Sequence, residues 1–249
     1  MNVKAYLQRI SVEKESEPTL EFLQKLQKHH MENIPFENLD VTRNVEITLN
    51  LSRFYNKIIG DHRGGFCYEL NGLFQQLLTK LGFKSHLISC TVKKQNGWAK
   101  ENTHAAMIVH LDQPYLVDVG FGDSVRKPLP LTGKEQEDVS GIYRINLNEN
   151  HLFDLQRFEN QEWKTLYRFA NVPKKLEDFS EGCYFNQTSP ESSFTHGDIA
   201  TIATENGRIT LSGQTVTKAK NGVKTKLELT EIEKKKFLED FFSIRIKDS

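Results

Sequence analysis

The chain has 249 residues, with 33 Lys+Arg against 33 Asp+Glu; that balance argues against a general nucleic-acid binder, which carries a strong basic excess. Hydrophobic residues make up 37% and aromatic residues 10%, enough for a folded core and too many for a disordered chain. No apolar run approaches the roughly 18 residues that span a bilayer, and residues 1–6 lack the apolar core of a signal peptide, so the expectation is a cytoplasmic protein with neither membrane nor nucleic acid as partner.

Taken in chain order, residues 1–83 read mostly as helices. Apolar residues at 20, 22, 23 and 26 form a helical stripe over 19–30, with Thr19 or Ser16 as its cap. Residues 51–59 read as a second helix, stopped at Gly60. Residues 66–81 read as a third, with Phe66, Leu70, Leu73, Phe74, Leu77 and Leu81 on its apolar face and Gly82 as its stop. From 84 the period changes. Short β-rich runs at 85–92, 104–111, 114–119, 141–147, 151–157 and 163–170, separated by polar turns, predict an antiparallel sheet or barrel. A short helix fits within 175–190. Runs at 199–204, 208–211, 215–218 and 225–229 read as strands, with Asn206-Gly207 and Asn221-Gly222 as hairpin turns. Thr230-Glu231-Ile232-Glu233 is a capping start for a closing helix over 230–242. No Gly/Ser/Pro linker separates these stretches, so they are expected to pack into one body.

Cys67, Cys90 and Cys183 are too few for a disulfide framework, and their spacing misses the Cys-x-x-Cys zinc patterns. Cys67 stands out because it follows two glycines and sits on the first turn of the third predicted helix. A helix N-terminus carries partial positive charge and free N–H groups, and both favour the nucleophilic thiolate. The glycines permit a sharp turn and close approach of a substrate. A cysteine nucleophile needs a base, and the base an orienter. His104 opens one predicted strand and Asp118 ends the next, and the turn Asp112-Gln113-Pro114 pairs the two strands antiparallel. In an even-summed register without a bulge, two even-numbered side chains share a face. Asp118 lies between apolar neighbours, an expensive place for a carboxylate without a partner. A buried structural cysteine and two structural polar residues are the competing reading of the same pattern.

Together these residues resemble the arylamine N-acetyltransferase family. Ile34-Pro35-Phe36-Glu37-Asn38-Leu39 looks like its amino-terminal signature. Arg63-Gly64-Gly65-Phe66-Cys67-Tyr68-Glu69-Leu70-Asn71 matches its nucleophile motif, R-G-G-x-C-x-E-x-N, and Asp118-Val119-Gly120-Phe121-Gly122 matches the segment bearing the triad acid. The resemblance implies a Cys67–His104–Asp118 triad and acetyl-CoA as donor. It implies an arylamine, hydrazine or N-hydroxyarylamine as acceptor, reached through an acetyl-cysteine in a ping-pong sequence. It also implies an α+β fold around a cysteine-protease-like core. The parts are a helical bundle at 1–83, an antiparallel β-barrel-like domain at 84–190 and an α/β lid at 191–249. Arg63 and Glu37 correspond to supports of the active-site loop, and Glu69 and Asn71 read as supports of the helix start.

An arylamine offers a flat ring, so the acceptor pocket is expected to be partly apolar. Phe121 beside the triad acid, Phe194 by resemblance to the lid motif, and Tyr68 beside the nucleophile are the candidates. Coenzyme A brings phosphates. In the loop 93–100, Gly97 offers backbone N–H groups to pyrophosphate, Trp98 a surface for adenine or pantetheine, and Lys100 a basic flank. Lys218, Lys220, Lys224 and Lys226 form a second basic stretch. Core packing and solvated charge are the alternatives at each of these positions. Cys90 and Cys183 read as buried bystanders, and the remaining histidines as surface or local hydrogen-bonding residues. The rival functions are a cysteine amidase or hydrolase with the same triad, and a catalytically silent binding module.

Overall fold

Residues 1–245 are described by the structure, a computed structural model. Its amino-terminal part is helical: α1 (Val3–Arg9), α2 (Leu20–Asn33), α3 (Leu39–Thr42), α4 (Leu51–Tyr55) and α5 (Cys67–Lys80). Thr19 caps α2, accepting the Phe22 N–H at 3.1 Å. The stripe at 51–59 divides, because α4 ends at Tyr55 and a π-turn over Asn56–Gly60 continues it. The central helix is α5, and Leu70, Leu73, Phe74, Leu77 and Leu78 on it are fully buried. Burying each such side chain contributes about 1.5–3 kcal/mol, so Phe74→Ala would cost about 3–5 kcal/mol. Against Phe74 lies the ring of His30, 5.0 Å away edge-on. His30 is fully buried, with Tyr6 on its Nδ1 at 2.9 Å, rather than a surface residue. Burial, aided by Arg9, pushes its pKa down to about 3.

The middle of the chain forms a nearly closed antiparallel barrel-like sheet. Its strands are β2 (Lys84–Val92), β3 (His104–His110), β4 (Pro114–Val117), β5 (Leu129–Pro130), β6 (Gln136–Asp138), β7 (Gly141–Leu147), β8 (Phe153–Glu159) and β9 (Glu162–Phe169), in spatial order β5-β4-β3-β2-β9-β8-β7-β6. Two faces of β3 are buried. Ala105, Met107 and Val109 join the core around α5, while Ala106 and Ile108 join Ile88, Leu116, Ile145 and Leu155 in a second cluster. That explains why β3 reads as a continuous apolar run rather than an alternation. The two-residue strands escape the sequence reading because pairing, not composition, defines them.

A second sheet runs β1-β10-β11-β12-β13, from β1 (Phe36–Glu37), β10 (Ile199–Thr204), β11 (Gly207–Ser212), β12 (Thr215–Lys220) and β13 (Val223–Glu228). Its first strand comes from the amino-terminal part of the chain. Asn221 and Gly222 both adopt positive φ and make the expected two-residue turn. The other hairpin differs from expectation: Thr204 pairs with Gly207, so Glu205-Asn206 is the loop. Gly207 lies in the strand, where a Cβ would collide with the Ala219 carbonyl. The helix α6 (Ser180–Thr188) precedes β10. The last helix, α7 (Glu231–Phe242), is capped by Thr230 and covers the sheet with Phe237, Leu238 and Phe242. Among the described residues no helix is long and apolar enough to cross a membrane.

Candidate active site

Cys67 is the first residue of α5 and is 2% exposed. The Arg63-Gly64-Gly65 segment delivers it there by running against β1. The Glu37 N–H donates to the Gly65 carbonyl at 2.9 Å. A Cβ on Gly64 would collide with the Pro35 carbonyl, and one on Gly65 would stand 2.8 Å from Glu69, so this approach needs glycine. Glu69 Oε2 accepts the Phe66 N–H at 3.0 Å and closes the helix start.

A partly buried charge cluster fixes the loop from behind. Arg63 Nε donates to Glu37 Oε1 at 3.0 Å, and Arg63 Nη2 to Asp40 Oδ1 at 2.8 Å. Lys57, on the π-turn, donates to Glu69 Oε1 at 3.0 Å and pairs with Asp40 at 2.8 Å. Burial disfavours charge on Lys57, but Glu69, Glu37 and Asp40 outweigh it and raise its pKa. Arg63 and Glu37 therefore hold the supporting place expected of them. Lys57 and Asp40 were not foreseen, since nothing local marks them.

The β3–β4 hairpin places Met107 opposite Val117, an even-summed register. His104 and Asp118 consequently share a face, and His104 Nε2 lies 2.7 Å from Asp118 Oδ2. Each is 3% exposed. The carboxylate is fully engaged. Oδ1 accepts from Asn71 Nδ2 at 2.9 Å and the Gly120 N–H at 2.8 Å, and Oδ2 also accepts from the Tyr167 hydroxyl at 3.0 Å. Burial opposes the charge of both groups. Asp118 and then the Cys67 thiol outweigh it at the imidazole, raising His104 from 6.5 to about 10. At Asp118, His104, Asn71 and the Gly120 N–H outweigh it and lower the pKa. With Nε2 committed to Asp118, Nδ1 is the nitrogen left for Cys67, whose Sγ also lies 3.9 Å from the Thr103 carbonyl.

Asn71 corrects its expected role as a helix-start support. It donates to the Ala105 carbonyl at 2.7 Å as well as to Asp118, and accepts the Val119 N–H at 3.0 Å. It ties α5 to both strands that carry the His–Asp pair. Tyr167, on β9, was missed; it reaches Asp118 across 49 residues of sequence.

Cys67 and His104 open into a cavity of about 650 Å³. Phe36, Phe121, Phe185, Phe194 and Ile199 line it, with Lys94, Gln95, Asp123 and His196 among its polar walls. Phe121 packs edge-on against His104 at 5.3 Å, and Phe194 lies 5.8 Å from Phe36. Gly120 also lines it, where a Cβ would stand 2.7 Å from Cys67 Cα.

Tyr68 is not part of this wall. It is fully buried, packs on Phe66 and Phe179, and donates to the Asn102 carbonyl at 2.9 Å. One step along a helix turns a side chain by about 100°, so the neighbour of Cys67 faces the core. Gly97, Trp98 and Lys100 also lie outside the lining, whereas Lys94, Gln95 and Ala99 of the same loop belong to it. Gly97, at φ +95, completes a tight turn with Lys94, and Trp98 stacks under Arg168 at 4.2 Å and Lys93 at 4.7 Å. Lys100 sits over the Phe185 ring at 5.0 Å. Lys218, on the second basic stretch, covers Phe241 at 4.6 Å. Cys90 and Cys183 are buried, as expected of bystanders.

The chain matches the N-acetyltransferase family model over residues 19–249. It is 32% identical to a pineal gland isozyme of arylamine N-acetyltransferase from Gallus gallus, over 99% of this chain and 95% of that protein. Its fold is similar to that of an arylamine N-acetyltransferase from Bacillus cereus described as having a Cys-His-Glu triad, with a TM-score of 0.92 at 27% identity over 99% of this chain and 100% of that one. It is likewise similar to the Mycobacterium marinum arylamine N-acetyltransferase in complex with CoA, with a TM-score of 0.89 at 31% identity over 98% and 93% of the two chains. A cysteine at a glycine-led helix start, a buried His–Asp pair beside it and likeness along the whole length converge on one conclusion: the chain belongs to the arylamine N-acetyltransferase family.

Proposed function

We propose that the protein transfers an acetyl group from acetyl-CoA to an arylamine, arylhydrazine or N-hydroxyarylamine through an acetyl-Cys67 intermediate. The observation that carries this reading is the buried Cys67–His104–Asp118 constellation opening onto an aromatic-walled cavity. The CoA complex of the Mycobacterium marinum relative supports the donor. In the Bacillus cereus relative the triad acid is a glutamate; here the aspartate at 118 takes that place.

His104 holds the proton of the Cys67 thiol, and its imidazolium is the counter-ion of the thiolate. The thiolate attacks the thioester carbonyl carbon. Backbone N–H groups at the start of α5 stabilise the oxyanion. The C–S bond to CoA breaks, and CoA leaves as a thiol with the proton from His104. The acceptor amine then attacks acetyl-Cys67, gives its proton to His104 and releases the thiolate. Asp118 fixes the imidazole tautomer throughout. Phe121 and Phe194 flank the acceptor ring, and Lys94 at the cavity wall serves the donor side. In this scheme residues 1–83 supply the nucleophile, 84–190 the base and acid, and 191–249 the cover.

Steady-state kinetics test the order of events. A single thiol carrying the acetyl group gives parallel double-reciprocal lines. Without amine, CoA release stops after one equivalent per Cys67. Continued release at an undiminished rate would instead support hydrolysis, and intersecting lines would support direct transfer in a ternary complex.

A further inference from the structure

The proposed chemistry accounts for the nucleophile motif and the acid segment. It leaves Asn38 of the Ile34–Leu39 signature without a role. This side chain is fully buried. Its neighbour Glu37 turns to the nucleophile loop and bonds Arg63. Asn38 follows the strand β1, which pairs Phe36 with Thr201 and Glu37 with Ala200 of β10. Every polar bond that Asn38 makes beyond its own short helix goes to one segment, residues 194–199. Its Nδ2 donates to the Phe194 carbonyl at 2.8 Å and to the Gly197 carbonyl at 2.8 Å. Its Oδ1 accepts the Ile199 N–H at 2.6 Å, and its own N–H donates to the Ile199 carbonyl at 3.1 Å.

Residues 194–197 form a short 3₁₀ turn and bend ahead of β10, which Ile199 opens, so the Phe194 and Gly197 carbonyls have no ladder to join. Phe194 and Ile199 from it line the cavity. The Phe194 ring packs beside Phe36 at 5.8 Å and Phe66 at 6.5 Å. A carboxamide is the one side chain of this size that offers two donors and an acceptor together. Alanine leaves two carbonyls and an N–H without their partner in a part-buried place, which favours a shift of the segment.

We propose that Asn38 is a positioning residue for acceptor recognition: it fixes the 194–199 segment so that Phe194 and Ile199 form the acceptor wall. Asn38 does not itself line the cavity. This inference rests on the transferase reading and deepens it.

In a ping-pong enzyme the two half-reactions are read separately. The ratio kcat/KM for acetyl-CoA reports acetylation of Cys67, and kcat/KM for the amine reports its discharge. Asn38→Ala should lower the amine constant about three- to tenfold, the scale of one aromatic contact, and leave the acetyl-CoA constant within about twofold. In a Phe194→Ala background, Asn38→Ala should lower the amine constant little further, because the ring it positions is gone. Asn38→Asp keeps the acceptor for the Ile199 N–H but sets a carboxylate against two carbonyls, so it should match or exceed the alanine effect. Should Asn38→Ala fail to accumulate in folded form, Asn38→Ser keeps one donor and carries the same comparison. Equal loss in both half-reactions, or full additivity with Phe194→Ala, would overturn the assignment. Failure of wild-type protein to form acetyl-Cys67 would overturn the covalent reading on which this inference rests, and is separable because it needs no variant.

Discussion

His104 Nε2 and Asp118 Oδ2 meet at 2.7 Å in a place where neither side chain is more than 4% exposed. Two ionisable groups withdrawn from water hold charge only because each is the other's counter-ion, and because Asn71, Gly120 and Tyr167 complete the carboxylate's bonding. The following expectations arise from that arrangement.

Asp118→Asn replaces a carboxylate with a nearly isosteric amide. The amide N–H₂ then faces His104 Nε2, which must accept, and the ring proton moves to Nδ1 on the Cys67 side. Turnover should fall on the order of 10³–10⁴-fold, as for triad acids elsewhere. Far-ultraviolet circular dichroism should be unchanged. Near-normal turnover would mean that Asp123, the other carboxylate at the cavity, holds the role or that no third member is needed.

The same pair predicts a pH profile of stability. His104 is raised from 6.5 to about 10, so its contribution is complete below about 6.5 and is lost as pH rises through about 10. Asp118 is lowered from 3.8, so its contribution is complete above that value and is lost as pH falls through the depressed one. The stability gap between wild type and Asp118→Asn should therefore be largest between about pH 4 and 6.5 and close toward pH 10. Urea unfolding across this range measures it; a gap independent of pH would contradict the ionised pair.

Thiol labelling separates the three cysteines. Burial pushes the Cys90 thiol well up, and burial with the Cys67 and Glu69 charges pushes Cys183 up to about 12. Cys67 has an imidazole partner and lines the cavity. Iodoacetamide should modify Cys67 well before the other two, and acetyl-CoA added first should protect it. Equal labelling of all three would remove Cys67 as nucleophile.

How much of this was legible in the sequence depends on range. The α5 stripe, Gly82 behind it and the glycines before Cys67 are local signals, and they place Cys67 at a helix start. The parity of His104 and Asp118 sufficed because a tight turn at 112–114 fixes the register of their hairpin. Tyr167 lacked any such signal, since β9 reaches Asp118 only by closing the barrel against β2. Lys57 was hidden by a π-turn that the apolar stripe continues straight through. Tyr68 was misplaced because adjacency in sequence is not adjacency on a helix surface. The cation–π contact of Trp98 had no local signal either, because Arg168 comes from β9.

The central claim is that Cys67 carries the acetyl group. Incubating the protein with acetyl-CoA and no amine, then mapping peptides by mass spectrometry, tests it most directly. One acetyl group should appear on the peptide holding Cys67 and nowhere else, and a brief chase with an arylamine should remove it while acetylated amine appears in equal amount. Acetylated amine formed with no acetyl-Cys67 at any time, or acetyl found on another residue that the chase discharges, would contradict the account.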